Sequence, residues 1–336
     1  MNRLLTMNTD SIPLVKAAYK QQFVVAMVQN GLSPEYYLDR VGLPLHEQED
    51  PESLIPVKPF YHLLNLISVE KNIPDFGAQV AQITPWHKVE SLAPLINHSE
   101  TLIALLTQFC QVAPSQRSHV KFSLEKASSG FWFAYSGKPL MVNDIQMELY
   151  RITSMIQLVQ LAMGSAWYPD KIHLLMPTTK CVDSCELISK SEVSFAQRQS
   201  AIFIPEIALN IPVHLDISTS YQSNNQYDIT AGFVDTLRNI IAIYMSNKHC
   251  TIALIAKAIN MPIRTLQRRL RQYDLCFNDL LQQVKFDLAK EQLVNSTLTI
   301  AEIAFQLGYS SSAHFTHAFY RWAVMSPSQF RKTLLR

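Results

Sequence analysis

A pair of short helices separated by a tight break occurs twice near the C-terminal end of this 336-residue chain, and this repeat restricts the fold more than any other feature. In the first copy, residues 251–260 carry apolar side chains at helical spacing, and Met261 and Pro262 interrupt the helix. We expect Pro262 to take the first position of the following helix, where its missing N–H costs nothing. Helices this short are stable only when their apolar stripes pack, so the pattern predicts a helix-turn-helix unit.

The second helix of this unit, predicted over 262–273, has two chemically different sides. Three apolar residues form a stripe that we expect to face inward: Ile263, Leu266 and Leu270. The opposite side carries four polar residues at spacings that place them together: Arg264, Gln267, Arg268 and Arg271. Arg can bond guanine bidentately and Gln can bond adenine, and a helix with such a face fits the major groove of DNA. The alternative reading is an ordinary solvated helix face.

The second copy begins with Thr299 and Glu302, which are spaced as a capping box. Gly308 is predicted to end its first helix, and Ser311 or Ser312 to cap the second. We expect eight apolar side chains to face inward: Ile300, Ile303, Ala304, Leu307, Phe315, Ala318, Phe319 and Trp322. The outer side of the second helix keeps four polar residues: Ser312, His314, Thr316 and His317. They are smaller and less charged than the arginines of the first unit, so we expect them to add less affinity for DNA.

Residues 277–295 join the two units and keep apolar residues at helical spacing throughout. A helix over this range is about 28 Å long, and successive major grooves on one face of DNA are about 34 Å apart. A stiff connector of that length can present two recognition helices to neighbouring grooves.

The charge of the chain is divided unevenly between its two parts. Residues 1–227 contain 16 Lys+Arg and 20 Asp+Glu, and residues 228–336 contain 13 and 7, which gives net charges of −4 and +6. Only the C-terminal part has the positive balance that phosphate binding needs. The chain has no run of eighteen apolar residues and no apolar segment near its start, so we expect a cytoplasmic protein without a membrane span.

Cysteine usage and the familiar catalytic motifs give no sign of an enzyme or a cofactor. The five cysteines are scattered, which argues against a disulfide framework. Cys181 and Cys185 are close enough for a redox pair or part of a metal site, but two ordinary loop cysteines are the favoured reading because no further ligands stand nearby. Walker A, GxGxxG, GxSxG and HExxH motifs are all absent from the sequence.

The N-terminal part predicts a different class of fold, with helices first and a small mixed sheet after them. Apolar periodicity predicts helices over 16–30, 34–41, 59–69, 101–111 and 142–164, with a loop over 50–56. Alternating segments at 119–124 and 131–136 predict a β-hairpin, and short strands are expected at 171–176, 192–195 and 201–204. The polar segment 214–228 predicts a linker, and a helix over 229–246 opens the basic part.

The C-terminal segments RTLQRRL, AEIAFQLGY, HFTHAFYRW and SPSQFR resemble the AraC/XylS family of bacterial transcription regulators, and the likeness covers about 100 residues. The resemblance implies that the first recognition helix inserts Arg264, Gln267 and Arg268, and that the second inserts Ser312, His314, Thr316 and His317. The chain departs from the family at three positions. Asp274 and Val324 stand where the family usually has Gly, and His317 where it usually has Arg.

The N-terminal part carries further segments of this kind, at 42–60, 75–77, 167–169 and 191–213. They resemble the arabinose-binding-type N-terminal domain of the AraC subgroup that includes regulators of ornithine utilisation. These segments are mostly apolar, and they do not indicate which ligand the domain binds. Four aromatic residues of the second hairpin strand fit either an effector pocket or a strand packed on both faces, and the second reading is favoured: Phe131, Trp132, Phe133 and Tyr135.

Together these features predict an α+β sensor domain over 1–213, a linker over 214–228, and an all-α domain over 229–336 with two helix-turn-helix units joined by a long helix. The resemblance implies a transcription regulator, most often an activator, that binds promoter DNA, contacts RNA polymerase and responds to a small molecule. We expect a homodimer, with the apolar helix 142–164 as one candidate surface and burial of that helix within its own domain as an equal alternative. The main alternative is a DNA-binding protein whose N-terminal domain only dimerises; an enzyme carrying this type of DNA-binding domain is a third, disfavoured possibility.

Overall fold

The contacts of the chain in this computed structural model fall into two groups, residues 13–230 and residues 231–336. The structure describes residues 12–43, 53–83, 99–116, 121–136, 145–177, 180–213, 232–245, 250–259 and 261–334. The predicted linker 214–228 lies outside these ranges, as do the ends of the predicted helix 229–246 and of the predicted hairpin. None of the helices in the described ranges is long and apolar enough to cross a membrane.

The first unit opens with two short strands and four α-helices. The elements are β1 (Leu14–Lys16), α1 (Lys20–Gln29), α2 (Pro34–Val41), β2 (Leu54–Pro56), α3 (Lys58–Lys71) and α4 (Phe76–Ile83). The prediction for 34–41 is confirmed at both ends, because the Ser33 hydroxyl accepts a hydrogen bond from the Tyr36 N–H and Gly42 has a φ of 75°.

Two expectations in this region are wrong. Lys16, the predicted first residue of a helix, ends a strand over 14–16, and residues 54–56 form its partner strand rather than a loop. The two strands are antiparallel, with Val15 opposite Ile55, and both side chains are buried. Three-residue strands are too short to show alternation, and this pairing joins segments about forty residues apart, so neither segment alone could indicate it.

The rest of the first unit contains a five-stranded mixed sheet. Its elements are α5 (Leu102–Gln116), β3 (Phe122–Lys126), β4 (Gly130–Tyr135), α6 (Ile145–Met163), β5 (Lys171–His173), α7 (Glu186–Ser189), β6 (Glu192–Ser194) and β7 (Ser200–Pro205). The strand order is β3-β4-β7-β5-β6, with β5 and β6 parallel and the other pairs antiparallel. The predicted hairpin and small mixed sheet are therefore confirmed, although β5 ends at His173 and not at residue 176.

Helix α6 is held against the sheet by a buried carboxylate. Glu148 accepts hydrogen bonds from the Leu175 N–H at 2.6 Å, the Met176 N–H at 2.9 Å and the Ser200 hydroxyl at 2.5 Å. Nearly all of α6 from residue 146 to residue 159 is buried within this unit. The helix that was a candidate dimer surface is therefore part of the core of its own domain.

The four aromatic residues of β4 are divided between the two faces of the sheet. Phe133 and Tyr135 are buried and pack against Phe122. On the opposite face, Trp132 stacks on His173 with ring centroids 3.9 Å apart. This arrangement matches the strand packed on both faces that the sequence favoured.

In the described part of the second unit every element is a helix: α8 (Phe233–Met245), α9 (Ile252–Ala258), α10 (Ile263–Arg271), α11 (Phe277–Asn295), α12 (Ile300–Gln306), α13 (Ser312–Ala323) and α14 (Pro327–Leu334). The long connector α11 has the predicted bounds. It packs against α8 on one side and against α12 and α14 on the other.

Candidate nucleic-acid interface

The first helix-turn-helix unit consists of α9 and α10. Thr251 caps α9, because its hydroxyl accepts a hydrogen bond from the Leu254 N–H at 3.2 Å. Pro262 has a ψ of 140° and precedes α10 as its cap residue, so the expectation that it would be the first helical residue is wrong. Its carbonyl nevertheless accepts the first helical bond, from the Leu266 N–H at 3.0 Å.

Helix α10 presents its four predicted DNA-reading residues to solvent. Leu266 and Leu270 are fully buried and hold the helix on the domain. The residues on the outer side are all exposed: Arg264, Gln267, Arg268 and Arg271. Ile263 is 40% exposed, so its predicted inward position is wrong. It lies in the first turn, beyond the edge of the surface against which Leu266 and Leu270 pack.

One arginine of α10 is half-buried and lies away from the outer face. The guanidinium of Arg269 lies over the Phe233 ring at 5.4 Å from its centroid, and Phe233 stacks on Tyr273. A cation over an aromatic ring is an attractive contact. Arg269 is therefore engaged within the domain, unlike exposed Arg264 and Arg268.

The second unit, α12 and α13, is positioned by the caps that the sequence predicts. The Thr299 N–H donates to the Glu302 carboxylate at 2.7 Å, and the Glu302 N–H donates back to the Thr299 hydroxyl at 3.2 Å. The bonds that the Thr299 N–H and the Thr299 hydroxyl donate to the carboxylate lower the pKa of Glu302. Gly308 has a φ of 73°, and the Ser311 hydroxyl caps α13 by accepting from the His314 N–H.

The outer side of α13 carries groups that are partly occupied by bonds within the protein. Ser312, His314 and His317 are exposed, and Thr316 is half-buried. The Thr316 hydroxyl donates to the Ser312 carbonyl at 2.8 Å, which leaves it only its acceptor positions. The Ser310 hydroxyl lies 2.7 Å from His314 Nδ1, a contact that the sequence gave no reason to expect.

The second unit packs on the C-terminal half of α11. Its buried core includes residues from three helices: Ala289, Leu293, Ile303, Ala304, Leu307, Phe315 and Phe319. Trp322 is 44% exposed and stacks on Phe286 with ring centroids 6.0 Å apart, so its predicted inward position is wrong. The indole ring lies over the edge of the core, which helical spacing cannot distinguish from its centre.

The two departures from family glycines both lie at left-handed backbone positions. Asp274 has a φ of 54° and Val324 a φ of 55°. Val324 follows the last residue of α13, and its N–H donates to the Tyr320 carbonyl. The turn geometry is therefore kept without glycine, and a β-branched residue there carries strain.

Helix α11 connects the two units through polar contacts as well as apolar ones. Arg238 of α8 donates a hydrogen bond to Gln283, and Arg331 of α14 donates to the Leu293 carbonyl at 3.1 Å. Lys285 Nζ lies 4.5 Å from the centroid of the Tyr309 ring, and burial lowers the pKa of this lysine. These contacts fix α8, α14 and Tyr309, in the turn before α13, to one long helix.

The cysteines have the character of structural residues. Burial raises the pKa of Cys185 to about 12 and that of Cys250 to about 12. A thiol with such a pKa is neutral at physiological pH and is a weak nucleophile and metal ligand. Among the described residues, no group of three His, Cys, Asp or Glu side chains could hold a metal ion.

Two helix-turn-helix units on one long helix, with a basic outer face on the first and a net charge of +6 over residues 228–336, define a DNA-binding protein of the double helix-turn-helix class. Residues 31–213 match the arabinose-binding domain of AraC transcription regulators, and residues 255–333 match a helix-turn-helix domain. The chain belongs to the AraC family of transcription regulators, which are not enzymes.

Individual relatives resemble either the whole chain or its C-terminal part. The regulator VirS of Mycobacterium tuberculosis is 22% identical over 95% of this chain and 96% of its own length. The transcriptional activator CfaD of Escherichia coli is 32% identical over 29% of this chain and 37% of its own length. The crystal structure of the transcriptional regulator CdpR from Pseudomonas aeruginosa covers 94% of this chain and 98% of its own, with a TM-score of 0.41 and 16% identity.

Proposed function

We propose that this regulator recognises promoter DNA sequence-specifically with the outer faces of α10 and α13. The exposed residues of α10, anchored by buried Leu266 and Leu270, carry the proposal. Arg264, Gln267 and Arg268 read bases, and Arg271 adds positive charge for phosphate or base contacts. On α13, Ser312, His314, Thr316 and His317 form the second and weaker reading surface.

The Ser310–His314 contact supports a specific role for the second reader. We assign the Ser310 hydroxyl as the donor in this contact, and an Nδ1 that accepts leaves Nε2 as the protonated nitrogen of the neutral ring. His314 then faces the DNA as a donor, which suits guanine N7 and O6, adenine N7 or a phosphate oxygen.

The experiment that tests the proposal has two steps. The genomic sites bound by the full-length protein are mapped, and the promoters found are used in gel shifts with the wild-type protein and with Arg264→Ala/Arg268→Ala. We expect a specific complex that the double variant loses. A wild-type protein that forms no complex at low salt, or a double variant that binds as well as the wild type, refutes the proposal.

The N-terminal domain, 1–213, is proposed to bind a small-molecule effector and to dimerise the protein, with 214–228 as the linker to the DNA-binding domain 229–336. Its match to an arabinose-binding-type domain supports a small-molecule response.

Activation through contact with RNA polymerase is the proposed output, supported by the activator names of CfaD and of AggR, both of Escherichia coli. A cytoplasmic location follows from this function. A domain that only dimerises is the alternative, and a metabolite that raises the melting temperature excludes it.

A further inference from the structure

The N-terminal unit, residues 13–230, contains a cavity lined by buried side chains. They come from β1, from α1 and the turn before it, from α3 and the residue before it, and from α6. Its apolar lining residues are Val15, Phe23, Val57, Phe60 and Met147, and its polar groups belong to Gln22 and to the hydroxyls of Tyr19, Tyr61 and Tyr150. All these elements belong to the unit of residues 13–230. The cavity therefore lies inside the domain for which we propose an effector response.

The walls of the cavity are apolar and largely aromatic. Phe23 packs against Phe60 with ring centroids 4.7 Å apart and against Tyr150 at 6.0 Å. None of the side chains that line the cavity in the described structure carries a charge. Such walls favour a neutral, mainly apolar molecule, because a charged group would lose its hydration without gaining a partner.

One pair of polar side chains restricts how a molecule can be oriented in the cavity. Gln22 and Tyr150 are each 2% exposed, and the Gln22 Nε2 donates to the Tyr150 hydroxyl at 3.0 Å. The same hydroxyl can donate back to the Gln22 carbonyl oxygen at 3.3 Å. A primary amide has two N–H donors, and within the described residues the acceptor that Gln22 Nε2 bonds is the Tyr150 hydroxyl, which leaves the second N–H for a bound molecule. A buried donor of this kind is satisfied when a bound molecule supplies a carbonyl or ether oxygen.

The size of the cavity limits the molecule it can hold. The open space beside these walls is about 350 Å³, much of it solvent at the mouth. The space inside has room for about two water molecules, so a bound molecule has to extend into the mouth or displace a wall. Met147 is the wall that can move most easily, because its unbranched side chain has several rotatable bonds.

We propose that this cavity is the effector site, and that the effector is a neutral molecule of about one ring with one carbonyl or ether oxygen bonded to Gln22. The inference rests on the proposed effector response. It predicts that a sugar such as arabinose does not bind, because a pentose carries a hydroxyl on almost every carbon and each hydroxyl buried against the apolar walls without a partner lowers the affinity.

The test uses the full-length protein and three probes in calorimetric and ligand-observed NMR titrations. Acetophenone has a ring and a carbonyl oxygen, ethylbenzene lacks the oxygen, and L-arabinose tests the sugar alternative. The proteins are the wild type, Gln22→Met, Val57→Leu and Gln79→Met. Gln22→Met keeps the length of the side chain but removes its donors, and Gln79 is a glutamine of α4 that does not line the cavity. Circular dichroism and melting curves establish that each variant is folded.

We expect acetophenone to bind saturably and more tightly than ethylbenzene, with no binding of arabinose. Gln22→Met is expected to weaken acetophenone roughly five- to ten-fold, the effect of one lost hydrogen bond, and to leave ethylbenzene unchanged. Val57→Leu, which adds a methylene to the wall, weakens both, whereas Gln79→Met changes neither.

Three results would overturn this inference: binding of arabinose alone, no saturable binding of acetophenone, or equal binding of acetophenone to the wild type and a folded Gln22→Met variant. Gel shifts with a mapped promoter are run on the same samples. A wild-type protein that does not bind DNA contradicts the proposed function, whereas a protein that binds DNA but not acetophenone contradicts only the effector site.

Discussion

At the scale of single residues, Arg268 and His317 represent the two reading surfaces. Both are exposed, but only arginine can form two parallel hydrogen bonds to guanine, worth about 1–3 kcal/mol of discrimination. We therefore expect Arg268→Ala to weaken binding roughly ten-fold or more and to relax specificity at one base pair. His317→Ala is expected to lower the affinity for DNA less, and by a similar factor for every base change. The measurement is affinity over all single-base changes of a mapped operator.

Arg269→Ala is the matched control for Arg268→Ala, since its guanidinium lies over Phe233. It is expected to lower the free energy of unfolding while leaving the pattern of base preference unchanged. Uniform losses of affinity for both Arg268→Ala and His317→Ala over every base change would mean that α10 holds phosphates and is not the principal reader.

The cysteines allow a second test at this scale. Cys276 is exposed, whereas burial raises the pKa of Cys110 to about 11 and those of Cys185 and Cys250 to about 12. The thiolate is the reactive form, and at pH 8 a thiol with a pKa of 12 is ionised in roughly one molecule in ten thousand. A disulfide reagent at pH 8 should therefore modify Cys276 first. Cys276→Ser should remove the fast phase, and rapid modification of Cys185 in the folded protein would contradict its buried position.

At the scale of elements, the end of α13 carries strain that can be removed. Val324 has a φ of 55° and is 76% exposed, so a glycine there loses little apolar burial. A side chain in the left-handed region costs about 1–2 kcal/mol. Val324→Gly is therefore expected to stabilise the 229–336 domain by about 1 kcal/mol, or roughly 4–8 °C in melting temperature.

Asp274→Gly is the comparison for this substitution, because Asp274 has nearly the same φ but Asp tolerates the left-handed region better than a β-branched residue. We expect it to stabilise the domain less. Thermal unfolding of the 229–336 fragment measures both. A destabilised Val324→Gly variant would show that the valine side chain makes contacts worth more than its strain.

At the scale of the whole molecule, the positive charge lies in the DNA-binding part and the dimer is proposed to form through the other part. The isolated fragment 229–336 should bind DNA with steep salt dependence, because its basic residues displace counterions from phosphates. The full-length protein should bind repeated half-sites more tightly than the fragment does, since linking two readers raises affinity without new contacts.

Light scattering and gel shifts test this division. We expect a dimer at micromolar concentration for the full-length protein and a monomer for the fragment. A monomeric full-length protein, with and without DNA, would remove the dimer from the proposal. Helix α6 is buried within its own domain, so the dimer surface must lie on other elements.

Features that depend on near neighbours could be predicted from the sequence. The cap residues Thr299 and Ser311, the turn at Gly308 and both ends of α11 all belong to this group, because capping and helical periodicity act within a few residues. The face of α10 could be predicted for the same reason, and so could the exposure of its four polar residues.

Features that join distant segments of the chain became visible only in the three-dimensional structure. The pairing of β1 with β2, the three bonds to Glu148, and the cavity beside Gln22 and Tyr150 bring together residues from about 30 to 130 positions apart. The exposure of Ile263 and Trp322 belongs to the same group, because periodicity shows which side of a helix is apolar but not how far the opposing surface extends. These contacts depend on the path of the whole chain, which no local pattern encodes.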